Sequence, residues 1–445
     1  MKEKATLVPE ILCDMIVMFA VLVGLGFPGQ LADVTVPSFA KMCEYGVFVL
    51  EIAVMFFSSG EEKKEFCLLN IKPRYALIYI FLFFLNFCSM IATTAYKDQI
   101  ISCVHVSVTI LFGLWIGERY HVERILELYG NAFVILVMSN VLFAVLFDNK
   151  AYTNENHTKN LCGIYTTKNT CGAALSFGIM ILFLLFIDYW EKKKVLKARY
   201  IITLLASMVL VLMCNATGSL FCAILPCIYV IFYKKSNWKI PVPGACYTLG
   251  SIGMLVTALT VIPVFKPFFD AIDKDITLTG RTLLWDRCLS VIIRKHTLTG
   301  FGYGQFWYNR WAISMVNAGF RRDSFFSTMQ TGSHNVLIEL WLNIGLLGLA
   351  AYIIMCLFLF NKCKYLSHTE YMLTICFAFL FMLHGFTERA FFTCDYHTLT
   401  LFTVLSLCAN AEIPRAVLRN PLKYRQYQNP EHTEKTVNIS EGVSL

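Results

Sequence analysis

Charged residues are scarce in this sequence. They make up 15% of its 445 residues, whereas 57% of the residues are apolar. Soluble domains carry about 25% charged residues. A membrane-spanning helix needs about 20 mostly apolar residues, and stretches of that length recur along the chain. The scarcity of charge excludes a single soluble domain and predicts an all-α, polytopic integral membrane protein.

Motifs that would indicate other protein classes are also missing. The 17 cysteines form no pair of Cys-x-x-Cys motifs, so the sequence predicts no structural metal centre. Most of them lie inside apolar stretches, where Cys behaves as a small apolar residue. Cys162 and Cys171 share a loop and are the pair that we consider for a disulfide. The net charge of +8 does not predict nucleic-acid binding, because the basic residues cluster in short loops between apolar stretches.

Twelve apolar stretches predict transmembrane helices. They cover residues 8–27, 42–58, 75–96, 99–117, 127–147, 171–190, 200–216, 218–233, 247–267, 335–360, 371–386 and 392–410. The predicted regions are transmembrane helices 1–9 (1–265), a large extracytoplasmic loop with an amphipathic helix (266–334), transmembrane helices 10–12 (335–412) and a cytoplasmic tail (413–445). The tail is polar and lacks periodicity, which predicts disorder.

Lys and Arg concentrate in alternate short loops, which predicts the orientation of the chain. The strongly basic loops are 61–74, 118–124, 191–199, 234–239 and 361–368. Cytoplasmic loops of membrane proteins are enriched in Lys and Arg. We therefore expect the N-terminus inside and the longer loops 148–170 and 266–333 outside the plasma membrane.

An amphipathic helix is predicted in the larger outer loop. Thr279 has a side chain suited to cap a helix that begins near Gly280. Arg281 and Trp285 are four residues apart and share a face of this helix. Apolar residues at helical spacing form its expected buried face: Leu284, Cys288, Val291 and Ile292. The alternating glycines of segment 300–304 end the helix in a turn.

Arginines near this helix predict an anion site. Arg281 lies in the first helical turn, where backbone N–H groups point at an anion. A guanidinium adds bidentate binding of phosphate oxygens. The cations that we expect to share a diphosphate with Arg281 are Arg310, Arg321, Arg322 and Arg389. Each of them alone also fits a solvated or headgroup-binding arginine. Glu339 in the next apolar stretch is unusual, because a carboxylate in hydrocarbon is costly unless it faces the bundle interior or water.

The order of several motifs resembles the O-antigen ligase/O-antigen polymerase superfamily of bacterial envelope glycosyltransferases. The motifs are Gly280-Arg281, Trp285, Gly300-x-Gly302-x-Gly304, His334-Asn335 and Gly345-x-x-Gly348, preceded by the stretch from Gly163 to Gly172 that contains Lys168-Asn169. The resemblance covers roughly residues 160–390 and implies a GT-C-like membrane fold. The sequence departs from the family at Asn215–Ser219, which has no basic residue. Lys168, Arg321, Arg322 and Arg389 are the candidates to replace it.

The resemblance implies glycan transfer from a polyprenyl-diphosphate donor to a sugar hydroxyl of an acceptor glycan. Arg281 is our first choice to stabilise charge on the leaving diphosphate. His334 at the membrane interface suits a general base or a phosphate contact, and both roles stay open. Lys168, Asn169, Trp285 and Asn335 are expected to bind substrate. No Asp-x-Asp pair ends a span, so we expect no metal, and we expect no other cofactor.

Three functions are compatible with this sequence. The leading one is a polymerase for O-antigen or capsule that extends repeat units. The first alternative is a ligase that moves the finished polymer to lipid A core or another acceptor. The third is a polysaccharide transporter or flippase, which the missing internal repeat and the long basic outer loop disfavour. Membrane lipids and a chain-length regulator or flippase are expected partners.

Overall fold

A computed structural model describes residues 2–30, 38–57, 72–92, 97–155, 158–264, 280–318, 320, 332–387 and 392–412 of the chain. Helices there occupy the positions of all twelve predicted spans: α1 (Lys2–Gly24), α2 (Phe39–Phe57), α3 (Ala76–Ile91), α4 (Lys97–Arg119), α5 (Val122–Leu146), α6 (Lys168–Glu191), α7 (Ala198–Met213), α8 (Thr217–Ser236), α9 (Pro243–Val264), α12 (Val336–Asn361), α13 (His368–Thr387) and α14 (Tyr396–Asn410). Two further helices, α10 (Arg281–Arg294) and α11 (Arg310–Asn317), lie between α9 and α12.

Seven of the described helices are long and apolar enough to cross a bilayer, and α7 is a shorter apolar helix. The prediction of an all-α polytopic membrane protein is therefore confirmed. Helix α2 is not among the seven, and it carries Lys41, Glu44 and Glu51. The tail 413–445, which we predicted to be disordered, lies outside the described residues.

A short β-hairpin is the one addition to the helical fold in the described part of the chain. Strand β1 (Tyr152–Glu155) pairs antiparallel with β2 (Thr158–Leu161), and Tyr152 lies opposite Leu161. Residues Cys162 and Cys171 follow it, and both are buried cysteines that form no disulfide. The disulfide that we considered between them is wrong.

Ion pairs and hydrogen bonds join the loops that are rich in Lys and Arg. Lys72 pairs with Glu118 at 2.9 Å, Lys192 with Glu123 at 2.9 Å and Lys234 with Glu191 at 2.7 Å. In addition, Lys239 Nζ donates a hydrogen bond of 3.1 Å to the backbone oxygen of Lys364. These loops therefore meet at one end of the bundle, here called the basic end. The opposite, distal end contains the starts of α6, α12 and α14.

Small residues let α4 and α14 approach closely. Gly113 and Gly117 are four residues apart, and a Cβ on Gly117 would lie 2.6 Å from the Cβ of Ser406. A Cβ on Gly113 would lie 2.8 Å from the backbone oxygen of Leu399. Such a small-xxx-small pattern brings helix backbones together in a membrane, where packing rather than hydrophobicity holds helices. The contact fixes α14 and the residues that precede it at the distal end.

The segment between α9 and α12 has a hydrophobic core of its own, here called the lobe core. All four residues of the predicted buried face of α10, together with Trp285, are 0–1% exposed. They pack with Phe301 and Phe306 and with Ile338 and Leu342 of α12. The predicted amphipathic helix is confirmed, and it lies against the first turns of α12.

Candidate functional site

Helix α10 is anchored to the start of α12 by Trp285. The indole Nε1 donates a hydrogen bond of 2.7 Å to the backbone oxygen of Ser333, and the ring packs 5.4 Å from Phe386. Because Trp285 is fully buried, it positions the segment before α12, and the direct substrate contact that we expected of it stays a prediction. Gly280, with φ 83°, occupies the position before α10 where we expected Thr279 as the cap; Thr279 lies outside the described residues.

His334 is held between two buried residues. Ser333 Oγ donates to the backbone oxygen of Asn335 at 2.9 Å. The Asn335 side chain caps α12 by accepting from Leu337 N at 3.1 Å and Ile338 N at 3.2 Å. His334 itself has φ 52°, a left-handed conformation that is rare for a residue other than glycine. Strained residues of this kind persist where their neighbours over-determine them, and they cluster at functional sites.

Glu339 lies one turn into α12 and ties three elements together. Its carboxylate accepts from Ser333 N at 2.8 Å, from Trp307 Nε1 at 2.9 Å and from Asn343 Nδ2 at 3.4 Å. These donors explain how the half-buried carboxylate that we singled out is tolerated. Glu339 was not among the predicted site residues. Its rarity in an apolar stretch was the available signal.

Helix α12 is interrupted at Gly345, whose φ of 66° and ψ of −171° are not helical. The segment 297–304 docks into the interruption through its backbone. Phe301 N and Gly302 N donate to the oxygens of Leu342 and Asn343 at 2.8 and 2.9 Å. Leu346 N and Leu347 N donate to the oxygens of Thr297 and Leu298 at 3.0 and 3.1 Å.

The glycines on both sides of this interface are required by the close approach of the two backbones. A Cβ on Gly345 would lie 2.2 Å from the oxygen of Leu298, and a Cβ on Gly300 would lie 2.6 Å from the oxygen of Asn343. The predicted glycine turn is therefore also a docking surface. Broken helices are tolerated at membrane depth where protein groups satisfy the freed backbone.

The structure places the predicted cations that it describes on three different helices. Arg281 is half-buried at the first position of α10, one turn before Trp285, so it lies at the corner where α10 meets Ser333. Lys168 and Asn169 begin α6 at the same distal end. Arg310 is exposed at the first position of α11, which packs on α10. Other predicted site residues lie outside the described residues: Arg321, Arg322 and Arg389.

Cys288 does not have the properties of a nucleophile. Burial raises the pKa of its thiol well above the usual value, and the nearby Glu339 carboxylate raises that pKa further. Because a thiol must ionise to attack, Cys288 acts in packing. Arg281 and His334 stay the predicted catalytic residues at this corner.

Comparison with protein families identifies the domain that these elements form. Residues 161–353 match the family model described as O-antigen ligase. This part of the chain is similar to that family. The matched region runs from the end of β2 into α12 and contains Lys168, Arg281, His334 and Glu339, so the resemblance read from the motifs is confirmed. No curated protein matches the chain.

Proposed function

We propose that this protein is a polysaccharide polymerase of the O-antigen or capsule type. It would transfer lipid-diphosphate-linked repeat units onto a sugar hydroxyl of a second glycan. The O-antigen ligase domain supports a glycosyltransferase-like role in lipopolysaccharide or polysaccharide biosynthesis. The observation that carries the transferase proposal is His334, fixed in a left-handed conformation beside the first turn of α10.

The proposed reaction is a single displacement. The acceptor hydroxyl oxygen attacks the anomeric carbon, the bond from that carbon to the diphosphate oxygen breaks, and the hydroxyl proton leaves to a base. Charge builds on the diphosphate, and a preorganised cation aimed at it lowers the barrier. Arg281 is assigned to this charge. His334 is assigned to the reacting groups, either as the base or as a donor to the leaving diphosphate.

The arrangement of the ends of the bundle supports the proposed site of action. The loops rich in Lys and Arg share the basic end, which the positive-inside rule assigns to the cytoplasm. Arg281 and His334 lie at the distal end. We therefore propose that transfer occurs at the outer face of the bacterial plasma membrane, beside membrane lipids, where a flippase supplies the donor and a chain-length regulator acts on the product.

A ligase is the second candidate, because the matching family model is itself described as O-antigen ligase. Both reactions use the same donor and differ only in the acceptor. A ligase would move finished polymer to lipid A core or to another acceptor. The surface glycan of a strain that lacks the gene distinguishes the two reactions.

The test is the banding pattern of surface glycan in that strain, complemented with wild type, Arg281→Ala or His334→Ala at matched membrane levels. A ladder that collapses to one repeat unit on the acceptor supports the polymerase. Bare acceptor with long polymer on the lipid carrier supports the ligase. An unchanged ladder with both variants would refute the transferase assignment.

A further inference from the structure

A cavity of about 330 Å³ lies near the distal end, between α1, α2, α4 and α14. Its wall includes Glu44, Glu51, His105 and Asp395, and the rings of Phe48 and Tyr303. The ring of His105 stacks on Phe48 at 4.2 Å. This volume is at the lower end of the range for small-molecule sites, which combine apolar walls with a few placed polar groups.

The charge of the cavity is opposite to that of the segment around α10. Three carboxylates line it, and none of the described residues in its wall is Lys or Arg. An acidic wall disfavours a diphosphate. It favours a ligand with hydroxyl or ammonium groups, because carboxylates accept hydrogen bonds and attract positive charge. The cavity is therefore unsuited to the anionic part of the donor.

The burial of Glu51 indicates that the cavity binds a ligand. It is 3% exposed although it lies well inside α2. The Thr109 hydroxyl hydrogen-bonds to it, which leaves part of the hydrogen-bonding capacity of the carboxyl group for another partner. A carboxylate at membrane depth is costly and is typically found where it serves a function. The remaining acceptor capacity of Glu51 lies at the cavity wall.

Asp395 connects the cavity to the proposed catalytic corner. Its Oδ1 accepts from Thr398 N at 2.9 Å, and its Oδ2 lies 3.3 Å from His397 Nδ1. His397 Nε2 lies 3.0 Å from His384 Nδ1, and His384 is two residues before Phe386, which packs on Trp285. A line of polar side chains therefore runs from Asp395 at the cavity through the buried His397 to His384 in the last turn of α13.

Tyr303 provides a second connection. Its ring lines the cavity, and its hydroxyl donates to the backbone oxygen of Phe392. The next residue, Gly304, donates from its N to Asn343 Oδ1 at 2.8 Å, and Asn343 donates in turn to Glu339. The cavity and the segment that holds His334 are thus parts of one connected structure.

We infer that this cavity binds the end of the acceptor glycan, as a neutral or positively charged saccharide. Carboxylates would accept hydrogen bonds from its hydroxyl groups, and the rings would pack against its apolar faces. The inference rests on the proposed function. It assigns donor and acceptor to two regions of opposite charge at the distal end.

Photocrosslinking tests the inference in cells. A benzoylphenylalanine residue replaces Phe48 in the cavity or, as a control, Phe83, which is 59% exposed on α3. The cells make lipid-linked repeat units with labelled sugars, and the protein carries His334→Ala so that bound glycan is not consumed. We expect a glycan adduct at position 48 and none at position 83. A phospholipid adduct without glycan at position 48, or equal adducts at both positions, would overturn the acceptor site.

A kinetic test uses the purified protein with lipid-linked repeat units. Glu51→Gln keeps the shape of the side chain but replaces one carboxyl oxygen with an amide nitrogen. The variant loses one acceptor for a sugar hydroxyl, so KM for the acceptor should rise about tenfold, with kcat little changed. If this variant does not fold, Glu44→Gln takes its place. An unchanged KM would contradict the inference but leave the transferase assignment intact. That assignment depends on the separate banding test of His334→Ala.

Discussion

His334 combines backbone strain with a candidate chemical role, and substitution separates the two. A left-handed conformation costs a non-glycine residue about 1–2 kcal/mol, which glycine does not incur. The surrounding hydrogen bonds of Ser333 and Asn335 involve backbone and side-chain groups other than the imidazole. The strain at this position therefore does not depend on the ring that would perform the chemistry.

His334→Gly should abolish glycan transfer while leaving the thermal unfolding temperature in detergent unchanged or raised. The physical reason is that glycine relieves the strain and removes the imidazole. His334→Ala is the control, because it removes the ring and keeps the strain. A His334→Gly protein that still makes a ladder would refute the catalytic assignment.

Glu339→Gln should destabilise the segment before α12. Ser333 N and Trp307 Nε1 donate to different carboxylate oxygens, and a glutamine amide keeps only one acceptor oxygen. One donor then lacks a partner, at a cost of about 1–3 kcal/mol. The measurement is the unfolding temperature, with Glu10→Gln on the exposed side of α1 as the control. Equal stabilities of the two variants would mean that the carboxylate does not hold this segment.

At the scale of single residues, the buried face of α10 could be predicted, because the spacing of apolar residues along one helix is a local property of the sequence. The role of Glu339 was not predictable in the same way. Its partner Trp307 lies 32 residues earlier in the chain, and its partner Ser333 lies before α12. Only the fold brings these groups together. Trp285 was expected to bind substrate because of the motif to which it belongs; its burial was not predicted, and the substrate contact stays a prediction.

Among the elements, the interruption of α12 most constrains the site. A helix that crosses a membrane normally satisfies its own backbone, and here the segment 297–304 supplies the missing partners. The sequence shows Gly345 within a motif but not the interruption, because the docking segment lies some forty residues earlier in the chain. The two glycines that bring α4 against α14 were a local signal that our sequence analysis did not use.

Gly345→Ala should release segment 297–304 from α12. The added methyl group would lie 2.2 Å from the Leu298 oxygen, and the left-handed φ adds about 1–2 kcal/mol of strain. We expect faster proteolysis of the segment that contains α10 and α11, and loss of glycan transfer. Gly253→Ala in α9 is the matched control, because nothing lies within 4 Å of its added Cβ. Similar proteolysis of the two variants would contradict this role of the interruption.

At the scale of the whole molecule, the short basic loops gather at one end, and much of this organisation was predictable. The basic loops predicted one common end, and the ion pairs between them agree. The cavity was not predictable, because its wall collects residues from α1, α2, α4 and α14 that are distant in sequence. The β-hairpin was missed because its strands are four residues each, too short to show a clear alternation.

Glycan transfer should continue in excess EDTA. We assign the charge of the leaving diphosphate to fixed arginines, with Arg281 first, rather than to a divalent ion. The measurement is the transfer rate of purified protein with and without the chelator, and a chelator already saturated with Mg²⁺ is the control. Loss of transfer that returns on addition of a divalent ion would refute metal independence.

The docking of segment 297–304 into α12 also has a consequence for biogenesis. This segment is synthesised before α12, so the backbone groups that pair with α12 have no protein partner until α12 follows. In turn, α12 cannot complete its backbone hydrogen bonds across Gly345 unless the earlier segment is already beside it. Insertion of α12 into the membrane is therefore coupled to prior folding of the segment that contains α10 and α11. The corner that holds Arg281 and His334 is assembled in the same step that finishes the membrane helix.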